Sequence, residues 1–207
     1  GRDAGGAASG RPATAATPAA SRPRVVFLGD SLPAGLGLSQ AQSYPSLIAE
    51  RLDRDGAGVE VVNAGISGDT AAGGRRRMTW ALEGDVRVLV LGLGANDGLR
   101  GTPVASMKEN LQAIIRDAKS RGITVLLLGM EAAPNFGPEY TAAFRAAFRD
   151  LAREEEVAFV PFFLEGVAGV PALNQPDGLH PNAGGAARVA DVVWQALEPI
   201  VDEAVAR

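Results

Sequence analysis

The chain has 207 residues, of which 46% are hydrophobic and 21% are charged. This length and composition predict one globular domain with a core of its own. The formal net charge of −4 gives no reason to expect nucleic acid as a partner, because proteins that bind it carry a basic patch. The absence of cysteine excludes disulfides, thiolate metal sites and a cysteine nucleophile. No apolar run approaches the roughly 18 residues of a membrane span.

Residues 1–23 are rich in Gly, Ala, Pro, Ser and Thr and contain few large apolar side chains. Such a segment cannot bury enough surface to offset the entropy that ordering would cost. We therefore predict a disordered leader or tether over residues 1–23, either left after removal of a signal peptide or added for expression. The folded domain is predicted over residues 24–207.

From residue 24 onward, short apolar runs alternate with longer segments of helical periodicity. In chain order they predict a strand over 24–29, a helix over 43–55, a strand over 59–65, a helix over 70–84, a strand over 86–94, a helix over 102–122, a strand over 123–130, a helix over 138–156, a strand over 157–163 and a helix over 182–207. This alternation predicts an α/β fold with a parallel sheet covered on both faces. Ligands of such sheets bind beyond the carboxyl ends of the strands, so the functional residues are expected in those loops.

The first strand ends in Gly-Asp-Ser-Leu, which places Ser31 just beyond its carboxyl end. A serine at this point has two interpretations: a nucleophile, or a cap whose hydroxyl accepts hydrogen bonds from the amides of the next helix. The local sequence favours the cap, because serine is a common N-cap residue. A catalytic role therefore requires a base and an oxyanion hole from the other loops.

The loops after the second and third strands contain candidate oxyanion donors. Gly65 and Gly68 leave the backbone open to a ligand, and a glycine amide can donate to a developing oxyanion. A turn followed by an Asp69 or Thr70 cap explains the same residues equally well. Asn96 offers a side-chain amide donor, although Asn-Asp-Gly is also an ordinary turn sequence.

His180 is the one histidine of the sequence and lies in the loop before the last predicted helix. Asp177 precedes it by three residues, so its carboxylate can bond to Nδ1 and leave Nε2 free as a base. A surface histidine beside a turn aspartate is the alternative. The four loops together would bring a hydroxyl, amide donors and an Asp–His pair to one sheet edge, and these are the parts of acyl transfer.

Four sequence blocks carry a family resemblance: GDSL at 29–32, ISGDT at 66–70, GAND at 94–97 and DGLHP at 177–181. With these blocks in this order, residues 24–200 resemble the SGNH hydrolases, also called GDSL esterases. Within that superfamily the chain is similar to the bacterial multifunctional thioesterases that also act as lysophospholipases and arylesterases. The resemblance implies a flavodoxin-like, three-layer α/β/α sandwich with a parallel five-stranded sheet.

The resemblance also implies roles for individual residues. Ser31 would be the nucleophile, His180 the base, and Asp177 the acid that orients the imidazole. The backbone amides of Ser31 and Gly68 and the side chain of Asn96 would form the oxyanion hole. Gly65 is the less suitable glycine, because it falls earlier in its block.

The residues expected around the substrate are Asp30, Leu99, Arg100, Pro134, Asn135 and Phe136. Asp30 is expected to support the first loop, and the loop over 99–103 is expected to line an acyl groove with residues 135–137. No metal or cofactor is expected. The expected partner is a small-molecule or lipid acyl ester, without nucleic acid and without an integral membrane segment. The resemblance and the leader together predict a monomer in the periplasm or outside the cell.

Three hypotheses for function follow. The first is a serine esterase that hydrolyses carboxylic esters and thioesters, including arylesters, acyl thioesters and lysophospholipids, through an acyl-enzyme on Ser31. The second is a carbohydrate O-deacetylase of the same superfamily, which a short polar pocket would favour over an apolar groove. The third is a non-catalytic flavodoxin-like binding module, whose function would survive the substitution Ser31→Ala.

Overall fold

The computed structural model describes residues 22–206, so residues 1–21 of the predicted leader lie outside the described part of the chain. One five-stranded sheet forms the centre of the domain, and all of its strand pairs are parallel. The strands are β1 (Arg24–Gly29), β2 (Glu60–Gly65), β3 (Val86–Gly92), β4 (Thr124–Leu128) and β5 (Ala158–Val160). Their spatial order is β2-β1-β3-β4-β5. The prediction of a five-stranded parallel sheet is therefore confirmed.

Helices cover both faces of this sheet. Within residues 22–206 the α-helices are α1 (Ser31–Ala34), α2 (Tyr44–Arg54), α3 (Ala71–Ala81), α4 (Ala95–Leu99), α5 (Val104–Ser120), α6 (Pro138–Glu154) and α7 (Ala183–Val205). Helices α2 and α7 pack against each other on one face, while α3, α5 and α6 lie side by side on the other. The result is the predicted three-layer sandwich.

The core lies on both sides of the central strands. Val26, Phe27 and Leu28 of β1 and Leu89 and Leu91 of β3 are completely buried. A strand between two helical layers must be apolar on both faces, which is why these runs do not alternate with polar residues. Each such side chain contributes about 1.5–3 kcal/mol on burial, so the strand ends that carry the loops are firmly fixed.

A row of three glycines marks the carboxyl edge of the sheet, because Gly29 pairs with Gly65 on one side and with Gly92 on the other. A Cβ at Gly29 would lie 2.4 Å from Pro33 Cγ, and one at Gly65 would lie 2.4 Å from the Ala34 nitrogen. The missing side chains therefore let the short helix α1 lie directly on the strand ends. The strand order reverses between β1 and β3, the place where parallel sheets of this order bind ligands.

The structure differs from the sequence prediction at several boundaries. Strand β5 was predicted over 157–163 but ends at Val160, because Pro161 has no N–H to continue the ladder. Strand β4 ends at Leu128 rather than at residue 130. Helices α1 and α4 were not predicted, since four and five residues are too few to show helical periodicity. In the described range, no helix is both long and apolar enough to cross a membrane.

Candidate active site

A chain of hydrogen bonds links three side chains from opposite ends of the sequence. Ser31 Oγ lies 2.9 Å from His180 Nε2, and His180 Nδ1 lies 2.6 Å from Asp177 Oδ2. Ser31 begins α1 directly after β1, and the other two residues lie in the loop before α7. The fold thus brings together the three residues that the resemblance assigns to nucleophile, base and orienting acid.

The loop of Asp177 is built around the histidine. Asp177 Oδ1 accepts hydrogen bonds from the backbone N–H groups of Leu179 and His180, at 2.9 and 3.0 Å. The hydrogen bond from the His180 side chain, together with these backbone bonds, lowers the pKa of Asp177 to about 2. The carboxylate is therefore ionised at every pH where the protein would work, and it keeps a proton on Nδ1 of the imidazole.

Asp30 supports the other side of Ser31. The residue is 1% exposed, and its Oδ1 accepts a hydrogen bond of 3.0 Å from the Leu32 N–H as the N-cap of α1. Burial raises the pKa of Asp30 to about 6. Of its two predicted roles, this burial favours support of the first loop over contact with the substrate, and both roles stay predictions.

The three candidate oxyanion donors lie on neighbouring loops. Gly68 has a φ of +81°, which favours glycine. Within the described residues, the N–H groups of Ser31 and Gly68 have no acceptor. The Asn96 amide differs: its Nδ2 donates to the Asp69 carbonyl at 2.9 Å and to Asp30 Oδ2 at 3.3 Å. To hold an oxyanion, Asn96 would give up its 3.3 Å hydrogen bond to Asp30 and donate to the oxyanion instead.

Two further residues near the site were not recognised in the sequence. Asp69 was considered only as a cap, but Thr70 caps α3, while Asp69 Oδ2 bonds to Arg77 Nε at 2.6 Å. Arg77 is the last of three consecutive arginines, and nothing in that run distinguishes it from its neighbours. Its exposure does distinguish it, since Arg75 and Arg76 are exposed and Arg77 is largely buried.

The remaining predicted substrate residues lie on an exposed rim. Leu99, Arg100, Pro134, Asn135 and Phe136 are all exposed. The loop over 99–103 and the segment over 135–137 are in contact, because a Cβ at Gly101 would lie 2.6 Å from the Phe136 ring. This contact agrees with the predicted joint lining, although the substrate roles themselves stay predictions.

The structure also shows a small pocket beside Ser31 and His180 whose other lining residues were not predicted. Its interior has room for about one water molecule, and the rest of it is open to solvent. Its apolar lining comes from the α1 segment, the β5–α7 connection and α7: Leu32, Leu36, Leu38, Leu164, Ala186 and Val189. None of the predicted rim residues lines this pocket. An apolar group bound next to the serine would therefore find an apolar surface on this side.

The described residues offer no three His, Cys, Asp or Glu side chains placed to hold a metal ion. What the site does hold is a serine hydroxyl bonded to an imidazole whose other nitrogen is bonded to a carboxylate. On an α/β sandwich with free backbone donors nearby, this arrangement defines the class of serine hydrolases, which act by acyl transfer.

The comparison with known families agrees with this class. Residues 27–188 match the model of the GDSL-like lipase/acylhydrolase family. Esterase TesA of Pseudomonas aeruginosa is 42% identical over 186 residues, which cover 89% of this chain and 92% of that protein. A protein of Escherichia coli named thioesterase 1/protease 1/lysophospholipase L1 is 36% identical over 185 residues, covering 89% of this chain and 88% of that protein.

Solved structures support the same assignment. The crystal structure of TesA matches with a TM-score of 0.82 and 43% sequence identity, covering 86% of this chain and 99% of that one. The chain therefore belongs to the GDSL-like lipase/acylhydrolase family, and it is a carboxylic ester hydrolase. The predicted family and the predicted enzyme class are both confirmed.

Proposed function

We propose that this chain is a serine esterase that hydrolyses carboxylic esters and thioesters through an acyl-enzyme on Ser31. The observation that carries the proposal is the unbroken path from Asp177 Oδ2 through both nitrogens of His180 to Ser31 Oγ. The names of the relatives, an esterase, an arylesterase and a thioesterase/lysophospholipase, support acyl thioesters, lysophospholipids and arylesters as substrates.

In the first half of the reaction, the ester acylates the serine. The Asp177 carboxylate accepts a hydrogen bond from the Nδ1–H group of His180, which leaves the lone pair of the imidazole on Nε2. Nε2 takes the proton of Ser31 as Oγ attacks the carbonyl carbon. The electron pair of the C=O bond moves to its oxygen. That oxyanion accepts hydrogen bonds from the backbone N–H groups of Ser31 and Gly68. It also accepts one from the side-chain N–H of Asn96, which gives up a hydrogen bond within the protein to make it.

The second half regenerates the enzyme. As the tetrahedral intermediate collapses, its C–O or C–S bond breaks and His180 gives its proton to the leaving alcohol or thiol. Water then loses a proton to His180 and attacks the acyl carbon. The second intermediate releases the carboxylic acid, and Ser31 recovers its proton from the imidazole.

The surroundings of the serine favour esters with an apolar group. The pocket beside Ser31 is lined mainly by aliphatic side chains, and Leu99 and Phe136 are exposed on the rim. A carbohydrate O-deacetylase would need polar side chains to hold the sugar, and this lining offers few. We therefore place the esterase before the deacetylase.

The test compares the wild type with Ser31→Ala on p-nitrophenyl esters from acetyl to palmitoyl, an acyl thioester and an acetylated sugar. We expect the variant to lose activity by ~10⁶-fold, the effect typical of removing the nucleophile of a serine hydrolase. Ser120→Ala is the matched control, because that hydroxyl is exposed at the end of α5 and bonds within its own helix. It should retain wild-type activity.

Each outcome separates the hypotheses. The proposal is supported if Ser31→Ala loses activity, Ser120→Ala keeps it, and the wild type prefers acyl chains longer than acetyl. A wild type that acts fastest on the sugar acetate would favour the deacetylase. A wild type without activity on any ester would contradict the esterase proposal and return the binding module to consideration.

The predicted monomer and the predicted periplasmic or secreted location stay predictions. Size-exclusion chromatography with light scattering measures the first. Fractionation of cells that express the full natural gene measures the second.

A further inference from the structure

One guanidinium joins the ends of two strands to the loop that carries Gly68. Arg77 Nε bonds to Asp69 Oδ2 at 2.6 Å, Nη1 to the Ala64 carbonyl at 2.7 Å, and Nη2 to the Gly29 carbonyl at 2.8 Å. The side chains of Arg77 and Asp69 are only 14% and 13% exposed. Solvent and salt screen an ion pair this deeply buried only weakly, so we expect the Arg77–Asp69 bond to stay formed.

The three acceptors belong to segments that carry candidate oxyanion donors. The Gly29 carbonyl lies two residues before Ser31, whose N–H is one donor. Asp69 directly follows Gly68, whose N–H is the second. The carbonyl of the same Asp69 accepts the Asn96 amide at 2.9 Å. Arg77 therefore fixes the backbone next to the N–H groups of Ser31 and Gly68. It also fixes Asp69, whose carbonyl holds the third donor, the side-chain amide of Asn96.

Only arginine suits this position. Its guanidinium presents five donors in a rigid plane, so it can bond to a carboxylate and to two carbonyls at the same time. Lysine could pair with Asp69 but has a single nitrogen, which cannot span three separated acceptors. The opposite side of the Gly68 segment is held separately, because exposed Arg100 donates to the Gly68 carbonyl at 2.9 Å.

We propose that Arg77 is a positioning residue of the oxyanion hole, which it sets by holding Gly29, Ala64 and Asp69 at fixed separations. The proposal rests on the proposed acyl-transfer function. Arg77 does not touch the reacting atoms, since each of its nitrogens has an acceptor within the protein. Its contribution should therefore appear in the stabilisation of the oxyanion and not in the affinity for the substrate.

The experiment compares Arg77→Met and Arg77→Lys with Arg76→Met, a matched control one residue away on the exposed face of α3. We expect kcat for p-nitrophenyl butyrate to fall about 10- to 100-fold in Arg77→Met, the cost typical of displacing a catalytic group by about 1 Å, with KM changed less than twofold. Arg77→Lys should recover part of that loss. Arg76→Met should match the wild type.

Titration of reactive Ser31 with a p-nitrophenyl phosphonate separates positioning from misfolding. As Ser31 Oγ bonds to phosphorus and p-nitrophenolate leaves, negative charge develops on the phosphoryl oxygen in the oxyanion hole. The rate of this reaction should therefore fall together with kcat, while the final number of labelled sites stays that of the wild type. Asp69→Asn should show a similar fall, and the double variant should lose less than the product of the two single losses, because both act through one contact.

Two results would overturn the proposal. One is a loss of activity explained entirely by a lower number of labelled sites, with kcat per labelled site unchanged. Arg77 would then be a purely structural residue. The other is a raised KM with unchanged kcat, which would make it a substrate-affinity residue. Failure of the esterase proposal itself would look different, because either the wild type would be inactive on every ester or Ser31→Ala would be as active as the wild type.

Discussion

The Asp177–His180 pair, the base side of the site, joins two residues that are close in sequence. Asp177 contacts the backbone and side chain of His180, three residues later, and its side chain is 44% exposed. On the oxyanion side, the bonds join distant residues: Arg77 reaches Gly29 across 48 positions, and Asn96 reaches Asp69 across 27. These side chains are mostly buried. The base side is a local unit at the surface, whereas the oxyanion side is part of the fold itself.

The difference has a consequence for substitutions. A change on the base side removes a proton-transfer function from a loop that solvent already surrounds, so catalysis should suffer more than stability. A change on the oxyanion side removes buried hydrogen bonds between strands and helices, so both should suffer. Measuring kcat and melting temperature on the same variants tests the comparison directly.

The largest effect after loss of the nucleophile is expected for Asp177→Asn. An asparagine amide would donate to Nδ1 and turn the imidazole to the tautomer that carries its proton on Nε2, which cannot accept the proton of Ser31. We expect kcat to fall about 10⁴-fold, the cost known for this change in a serine protease. The melting temperature should change little, because the group is exposed.

Asp150→Asn is the control for that variant, since Asp150 is a partly exposed acid on α6 that pairs with Arg153. It should change neither kcat nor the melting temperature. The distinction between the two sides would fail if Asp177→Asn unfolded the protein, as judged by circular dichroism and thermal melting.

A smaller loss of rate, with a larger loss of stability, is expected for Asn96→Ala. Removing one oxyanion donor typically lowers kcat by about 10²–10³-fold. Loss of the bonds to Asp69 and Asp30 also leaves buried acceptors unpaired, which should lower the free energy of unfolding by about 1–3 kcal/mol. The measurements are steady-state kinetics and urea unfolding.

Asn110→Ala provides the comparison for that substitution, because Asn110 lies on α5 and bonds to exposed Arg75. It should leave both quantities near their wild-type values. If Asn96→Ala destabilised the protein without lowering kcat in its folded fraction, Asn96 would be a structural residue and the oxyanion hole would rest on backbone amides alone.

The two sides also differ in how well the sequence predicts them. Asp177 and His180 are three residues apart, so their pairing follows from local geometry, and continuous apolar strands alternating with helices predict the confirmed sheet. The contacts of Arg77 span three segments of the chain, and no spacing rule selects it from three adjacent arginines. Asn96 bonds both to Asp30, in the turn between β1 and α1, and to the carbonyl of Asp69. These contacts between distant loops, like the burial of Asp30, are not described by periodicity.

A pH-dependent effect on stability is expected at Asp30, which lies between the two sides and bonds to Asn96. Burial raises the pKa of Asp30 from 3.8 to about 6, so the folded protein holds this proton more tightly than the unfolded chain. The stability from the neutral carboxyl is complete below about pH 4 and is lost as the pH rises through about 6. The two pKa values differ by an amount worth about 3 kcal/mol.

Asp30→Asn cannot titrate, so it removes this dependence. Between pH 4 and pH 8, the unfolding free energy of the variant should rise relative to that of the wild type by about 2–3 kcal/mol, because only the wild type acquires a buried charge. Urea unfolding of both proteins at each pH measures the difference and cancels the other titrating groups. A constant difference across this range would show that Asp30 keeps an ordinary pKa, and that the carboxylate beneath the serine is charged at all working pH values.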